Sequence, residues 1–145
     1  MHQRTLRRGA GLAFAMLFAL AIISCATTPR GPVVVLPNGY YLQPDQEGQS
    51  EIVKRDGGLV IPAPIAAYAV SGYIVAGALG KAPVSARLYS DLAFTGGANT
   101  RYFILDTTSG KLESDLDKAD WSKRLKVLGV PSDFQIYPPL PWQQS

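Results

Sequence analysis

The chain has 145 residues and a mass of 15.6 kDa, room for one small domain. Hydrophobic residues at 47% against charged residues at 17% exclude a disordered chain, and a single Cys excludes a disulfide scaffold. The formal charge of +3 and pI near 9.1 favour nucleic acid or an acidic membrane surface only if the whole chain persists to function.

The first 25 residues argue that it does not. A basic start carries Arg4, Arg7 and Arg8, a continuous apolar run occupies residues 12–23, and the small Ser24 stands immediately before Cys25. Positive flank, short apolar helix and small residue at the cut are the layout of a secretory signal. The run is shorter than the roughly 20 apolar residues that a spanning helix needs, which weighs against the competing assignment of an uncleaved anchor.

Ile22-Ile23-Ser24-Cys25 resembles the lipobox of bacterial lipoproteins, an aliphatic residue and two further residues ending in Cys. That resemblance implies diacylglyceryl transfer to the Cys25 thiol, cleavage between Ser24 and Cys25, and acylation of the new amine in many Gram-negative bacteria. In that family an Asp after the Cys retains the protein in the inner membrane. Ala26 therefore implies the periplasmic face of the outer membrane if the host is Gram-negative. Gly9-Ala10-Gly11 does not continue Arg7-Arg8 as a twin-arginine signal, so the Sec route is expected. The chain then divides into a signal peptide (1–24), a lipidated Cys with its tether (25–32) and one domain (33–145). Two or three acyl chains hold a protein firmly, whereas one binds marginally.

Cleavage changes the chemistry that is left. Three of the 14 Lys and Arg residues depart, so eleven face the 11 Asp and Glu and the side-chain charge falls to zero. A nucleic-acid partner loses its electrostatic basis. His2, the one His, departs as well, and Cys25 is consumed by lipid. A Ser-His-Asp or Cys-His nucleophile and zinc sites of the His or Cys kind are thereby excluded, and no cofactor is expected.

From Val33 onward short strands alternate with turns. Residues 33–36 and 40–42 flank Asn38-Gly39, the strongest short hairpin signal, because both residues accept positive φ cheaply. Residues 51–55 and 58–61 flank Asp56-Gly57, and residues 66–70 and 73–77 flank Ser71-Gly72. In that third hairpin Tyr68, Val70, Tyr73 and Val75 share one face and the small residues share the other. Residues 101–106 and 111–113 enclose Thr107-Thr108-Ser109-Gly110. Four hairpins in succession predict a mainly β fold, an antiparallel meander of about seven to eight short strands.

One helix is expected to close the domain and to lie across the sheet. Asp117 is its predicted N-cap, with Asp120 three residues on, and Leu116 and Trp121 hold the positions of a hydrophobic staple. Trp121, Leu125 and Leu128 recur at i, i+4 and i+7. Lys123, Arg124 and Lys126 suit the C-terminal end of the dipole, and Gly129 and Pro131 end the helix. The tail Tyr137-Pro138-Pro139-Leu140-Pro141-Trp142 is expected to be extended, a strap over its own domain anchored by Trp142.

Val35-Leu36-Pro37-Asn38-Gly39-Tyr40, Tyr73-Ile74-Val75, Tyr102-Phe103-Ile104-Leu105-Asp106 and the closing helix also resemble small bacterial lipoproteins of unassigned function. The resemblance covers roughly residues 33–130 and implies a β-meander with one C-terminal helix. It implies no activity.

Three clusters compete for a functional role. Thr107–Lys111 imitates a phosphate-binding loop, but Leu105 stands where the first Gly belongs and Leu112 where a Ser or Thr belongs. A hairpin turn is the better reading. Glu113, Asp115, Asp117 and Asp120 could be read as a carboxylate pair or a Ca²⁺ site, but they fall where a helix N-terminus favours negative charge. The seven tyrosines suit strands and recognition surfaces alike. Residues 78–100 fit neither strand nor helix period, and long loops of that kind are often functional. Tyr40, Tyr41, Arg87, Tyr89 and Phe94 are accordingly the expected recognition surface. The sequence predicts a lipid-anchored, non-catalytic binding or accessory module for an envelope protein partner at the membrane surface. Inhibition of a cell-wall-degrading enzyme and a carboxylate-dependent hydrolase are its alternatives.

Overall fold

The computed structural model describes residues 33–81 and 92–139. Strand β1 (Val34–Leu36) turns through Pro37-Asn38-Gly39 into β2 (Tyr40–Pro44), followed by β3 (Ser50–Lys54) and β4 (Leu59–Ile61). These four form one antiparallel sheet in chain order. Asn38 and Gly39 take φ of 56° and 78°, which is why this dipeptide makes the first reversal.

Pro62 and Pro64 then interrupt the ladder, because neither carries a backbone N–H. Past them a second antiparallel sheet is built from β5 (Ile65–Ser71), β6 (Ile74–Leu79), β7 (Arg101–Asp106) and β8 (Lys111–Leu116), again in chain order. The expected meander with one helix is the fold observed, and its four hairpins divide two and two between the sheets.

Period-two alternation sends side chains of the second sheet to both sides. Val75, Phe103 and Leu105 meet Leu36, Tyr40, Leu42, Ile52 and Ile61 of the first sheet in one core. Ala66, Ala67, Ala76, Ala78, Tyr102 and Ile104 face the other way and meet Trp121, Leu125, Val130 and Ile136. The order of layers is sheet, sheet, helix. This explains the unbroken apolar run Tyr102–Leu105 in a strand buried on both faces.

The helix α1 (Lys118–Val127) starts where Asp117 accepts the Asp120 N–H at 2.8 Å, an N-cap that contributes about 1 kcal/mol. It ends in a Schellman motif: Gly129, at φ 76°, donates to the Lys126 carbonyl and Val130 donates to that of Leu125. The predicted stripe needs one correction. Leu128 is the C-cap and 38% exposed, and Val130 fills the core instead, because the motif folds the chain back at Gly129. Strand β8 also runs past Glu113 to Leu116, carried through a register shift at which Asp115 adopts φ 59°.

The described tail acts as a strap. Tyr137 and Tyr68 exchange both backbone hydrogen bonds along the free edge of β5, and Ile136 is buried beneath them. Trp142 lies outside the described residues.

Candidate functional site

The turns after β1, β3, β5 and β7 gather at one end of the sandwich. The Asn38 amide donates to Thr107 Oγ1 at 3.1 Å, and the Thr107 hydroxyl donates to the Tyr73 carbonyl at 2.7 Å. The Arg55 N–H donates to Gly39 O at 2.9 Å, which brings the β3–β4 turn to the same end. Thr107 is buried, so this clasp replaces water for a polar group held between the two sheets. Asp106 accepts from the Ser109 hydroxyl and from the Thr108 and Ser109 N–H groups. Those bonds, the hydroxyl first, hold its carboxyl below the usual range. Residues 107–110 are thus a hairpin turn whose polar groups are used within the turn or, at Thr107, in the clasp to the neighbouring turns.

Three of the four acids of the cluster are engaged as well. Asp117 caps the helix, Asp115 faces Arg101 at 3.6 Å, and Glu113 accepts from both Nε (2.8 Å) and Nη2 of Arg124 with Lys111 also nearby. The Arg124 hydrogen bonds hold the Glu113 carboxyl below its ordinary range. The pair ties α1 to β8. Among the described residues no group of three or more His, Cys, Asp and Glu is placed to hold a metal ion.

The expected recognition residues separate. Tyr40 is only 6% exposed and belongs to the core between the sheets, which removes it from any recognition surface. Its parity is that of Leu42, and Leu36 faces it across the hairpin. Phe94 is half-buried against the helix-side core, where its N–H donates to the Ile136 carbonyl. It is a packing residue of the returning loop and not an exposed reader. Tyr41 remains half-exposed on the outer face of the first sheet. Arg87 and Tyr89, like Ser24 and Cys25, lie outside the described residues.

Two features of the surface were not expected from the sequence. Tyr73 is 63% exposed because the turn is Gly72-Tyr73 and not the expected Ser71-Gly72: Ser71 pairs with Ile74 and Val70 with Val75. Its place beside the expected turn was the signal. On the outer face of the first sheet, Val35, Tyr41, Val53 and Leu59 are successive cross-strand partners and form a single apolar row. Val35 is 73% and Leu59 58% exposed. No helix among the described residues is long and apolar enough to cross a membrane. No family model, curated protein or solved structure matches the chain.

Proposed function

We propose that this protein is a lipid-anchored lipoprotein of the bacterial envelope whose domain is a non-catalytic binding or accessory module at the membrane surface. The observation that carries the reading is the run Ile22-Ile23-Ser24-Cys25 behind a basic start and an apolar stretch, eight residues ahead of Val33. Two observations of the domain support it. Glu113, Asp115 and Asp117 are engaged with Arg124, Arg101 and the helix N-terminus, roles that account for acids at this place without catalysis. The surface instead presents exposed apolar and aromatic side chains, the material of contact faces.

The test is metabolic labelling with radioactive palmitate in a bacterial host, comparing the full chain with Cys25→Ser. The wild type is expected to take label and to fractionate with membranes, and Cys25→Ser to take none and to keep residues 1–24. An unlabelled wild type retaining Met1 overturns the anchoring. Photo-crosslinking from Tyr73 in intact cells is expected to recover one reproducible envelope partner, and recovery of random neighbours alone overturns the binding role.

A further inference from the structure

We propose that the outer face of the first sheet, centred on Val35, Tyr41, Val53 and Leu59, seats flat on the lipid surface to which Cys25 is anchored. The inference rests on the anchoring reading above and adds to it which face of the domain the bilayer covers.

The argument begins with parity. Val34 and Leu36 point into the core with Tyr40, Leu42, Ile52 and Ile61, so the intervening positions of the same strands point to the outside. Registers Val35↔Tyr41, Tyr41↔Val53 and Val53↔Leu59 then align four apolar side chains across all four strands. Val53, at the centre of this row, is itself only 5% exposed, so the open apolar surface is supplied mainly by Val35 and Leu59 with part of Tyr41. Isolated exposed apolar residues are ordinary, whereas a contiguous row marks a contact surface. Tyr41 brings a ring with a polar tip, the side-chain type suited to a headgroup boundary. The row has polar limits on both sides. Gln43 donates to Glu51 at 3.0 Å beyond one side, and the exposed Arg55, of the same parity as Val53, stands toward the turn end, where a cation meets anionic headgroups.

Chain length selects a membrane as the occupant. Residues 25–33 give eight peptide steps, which span at most about 26–29 Å. They lead into β1, the edge strand of the first sheet and the strand that carries Val35. Layers pack roughly 10 Å apart, so the helix layer lies about 20 Å beyond the first sheet. The tether therefore brings the first sheet to the lipid most directly, and the helix face only at the limit of its reach.

The test uses the full lipidated protein in vesicles of phosphatidylethanolamine and phosphatidylglycerol. Cys25 is the single Cys of the chain and its sulfur is occupied by lipid, so a nitroxide goes only to an introduced thiol. Val35→Cys and Leu59→Cys place it on the row without disturbing the core, and Lys123→Cys places it on the exposed side of α1. Power saturation then compares collision with oxygen, which concentrates in lipid, against a water-soluble nickel chelate. The expected result is an oxygen-to-nickel ratio several-fold higher at positions 35 and 59 than at 123. Equal ratios at all three, in protein whose N-terminal peptide carries acyl chains by mass spectrometry, overturn the seating and leave the anchoring intact. An unacylated N-terminal peptide overturns both. Dipolar broadening between labels assigns the row to a second copy, and shielding from both reagents assigns it to a protein partner. Either result overturns the membrane seat.

Discussion

Gly77 shows how closely the second sheet is fitted. A Cβ there would approach the Phe103 ring to 2.7 Å and would also collide with the Ala67 carbonyl. Gly77 and Phe103 are cross-strand partners, so the ring lies over the space that the missing side chain leaves. Gly77→Ala is expected to cost about 1–3 kcal/mol by overpacking, read from urea unfolding. The cost should fall in a Phe103→Leu background, though not to zero, because the carbonyl remains. Equal cost in both backgrounds would show that the ring is not the obstacle. On the opposite face the indole N–H of Trp121 donates to the Phe103 carbonyl at 3.1 Å, and the Trp121 and Tyr102 rings stack at 4.8 Å. At this scale the sequence was uneven as a guide. Asn38, Gly39, Asp117 and Gly129 act through local backbone conformation, which a few neighbouring residues determine. Tyr40 and Phe94 act through partners remote in sequence, so residue type alone left open whether they were buried.

Among the elements, α1 is held by both of its ends and by one side chain on its flank. Arg124 grips Glu113 of β8, and the resulting depression of the Glu113 carboxyl sets a pH window. In the unfolded chain this carboxylate takes up its proton near the ordinary glutamate value of about pH 4.3, before the folded form does. The stabilisation is therefore complete above that value and is lost as pH falls through the lower folded one. Urea titrations of wild type and Glu113→Gln should accordingly converge below about pH 4.3 and stay apart at neutral pH. A difference that stays constant with pH would mean that the charge contributes nothing. Four of the hairpins were legible because a Gly-containing turn signal, Asn38-Gly39, Asp56-Gly57, Ser71-Gly72 or Thr107–Gly110, stands between strand-forming residues. Their division into two sheets was signalled by Pro62 and Pro64, yet a meander and a folded-over meander share every local feature. The extension of β8 to Leu116 was hidden by Ser114 and Asp115, polar residues that a bulge accommodates.

For the molecule as a whole, layering dictates an order of opening. Strands β6 and β7 sit between two cores, whereas the first sheet contributes to one core only and its outer strands β1 and β4 are three residues each. Amide exchange in solution should be slowest at Val75, Ala76, Phe103 and Ile104 and fastest at β1 and β4. Comparable rates in the two sheets would contradict this hierarchy. Seating the first sheet on lipid would shield its outer strands and leave α1 and the end bearing Tyr73 open to an envelope partner. Of this arrangement the β character was legible in the sequence, and the proposed anchor rests on residues 22–25 of that sequence. The apolar row on the outer face was concealed, since Val35 is one of three consecutive valines and only the register separates outward from inward.

The pairing of Tyr137 with Tyr68 has its own consequence. A foreign strand seeking to lengthen the second sheet at β5 meets, at Tyr68, a competitor on the same chain that is present at a high local concentration. Runaway strand addition is a hazard for any sheet with an open edge, and at Tyr68 this chain carries its own terminator.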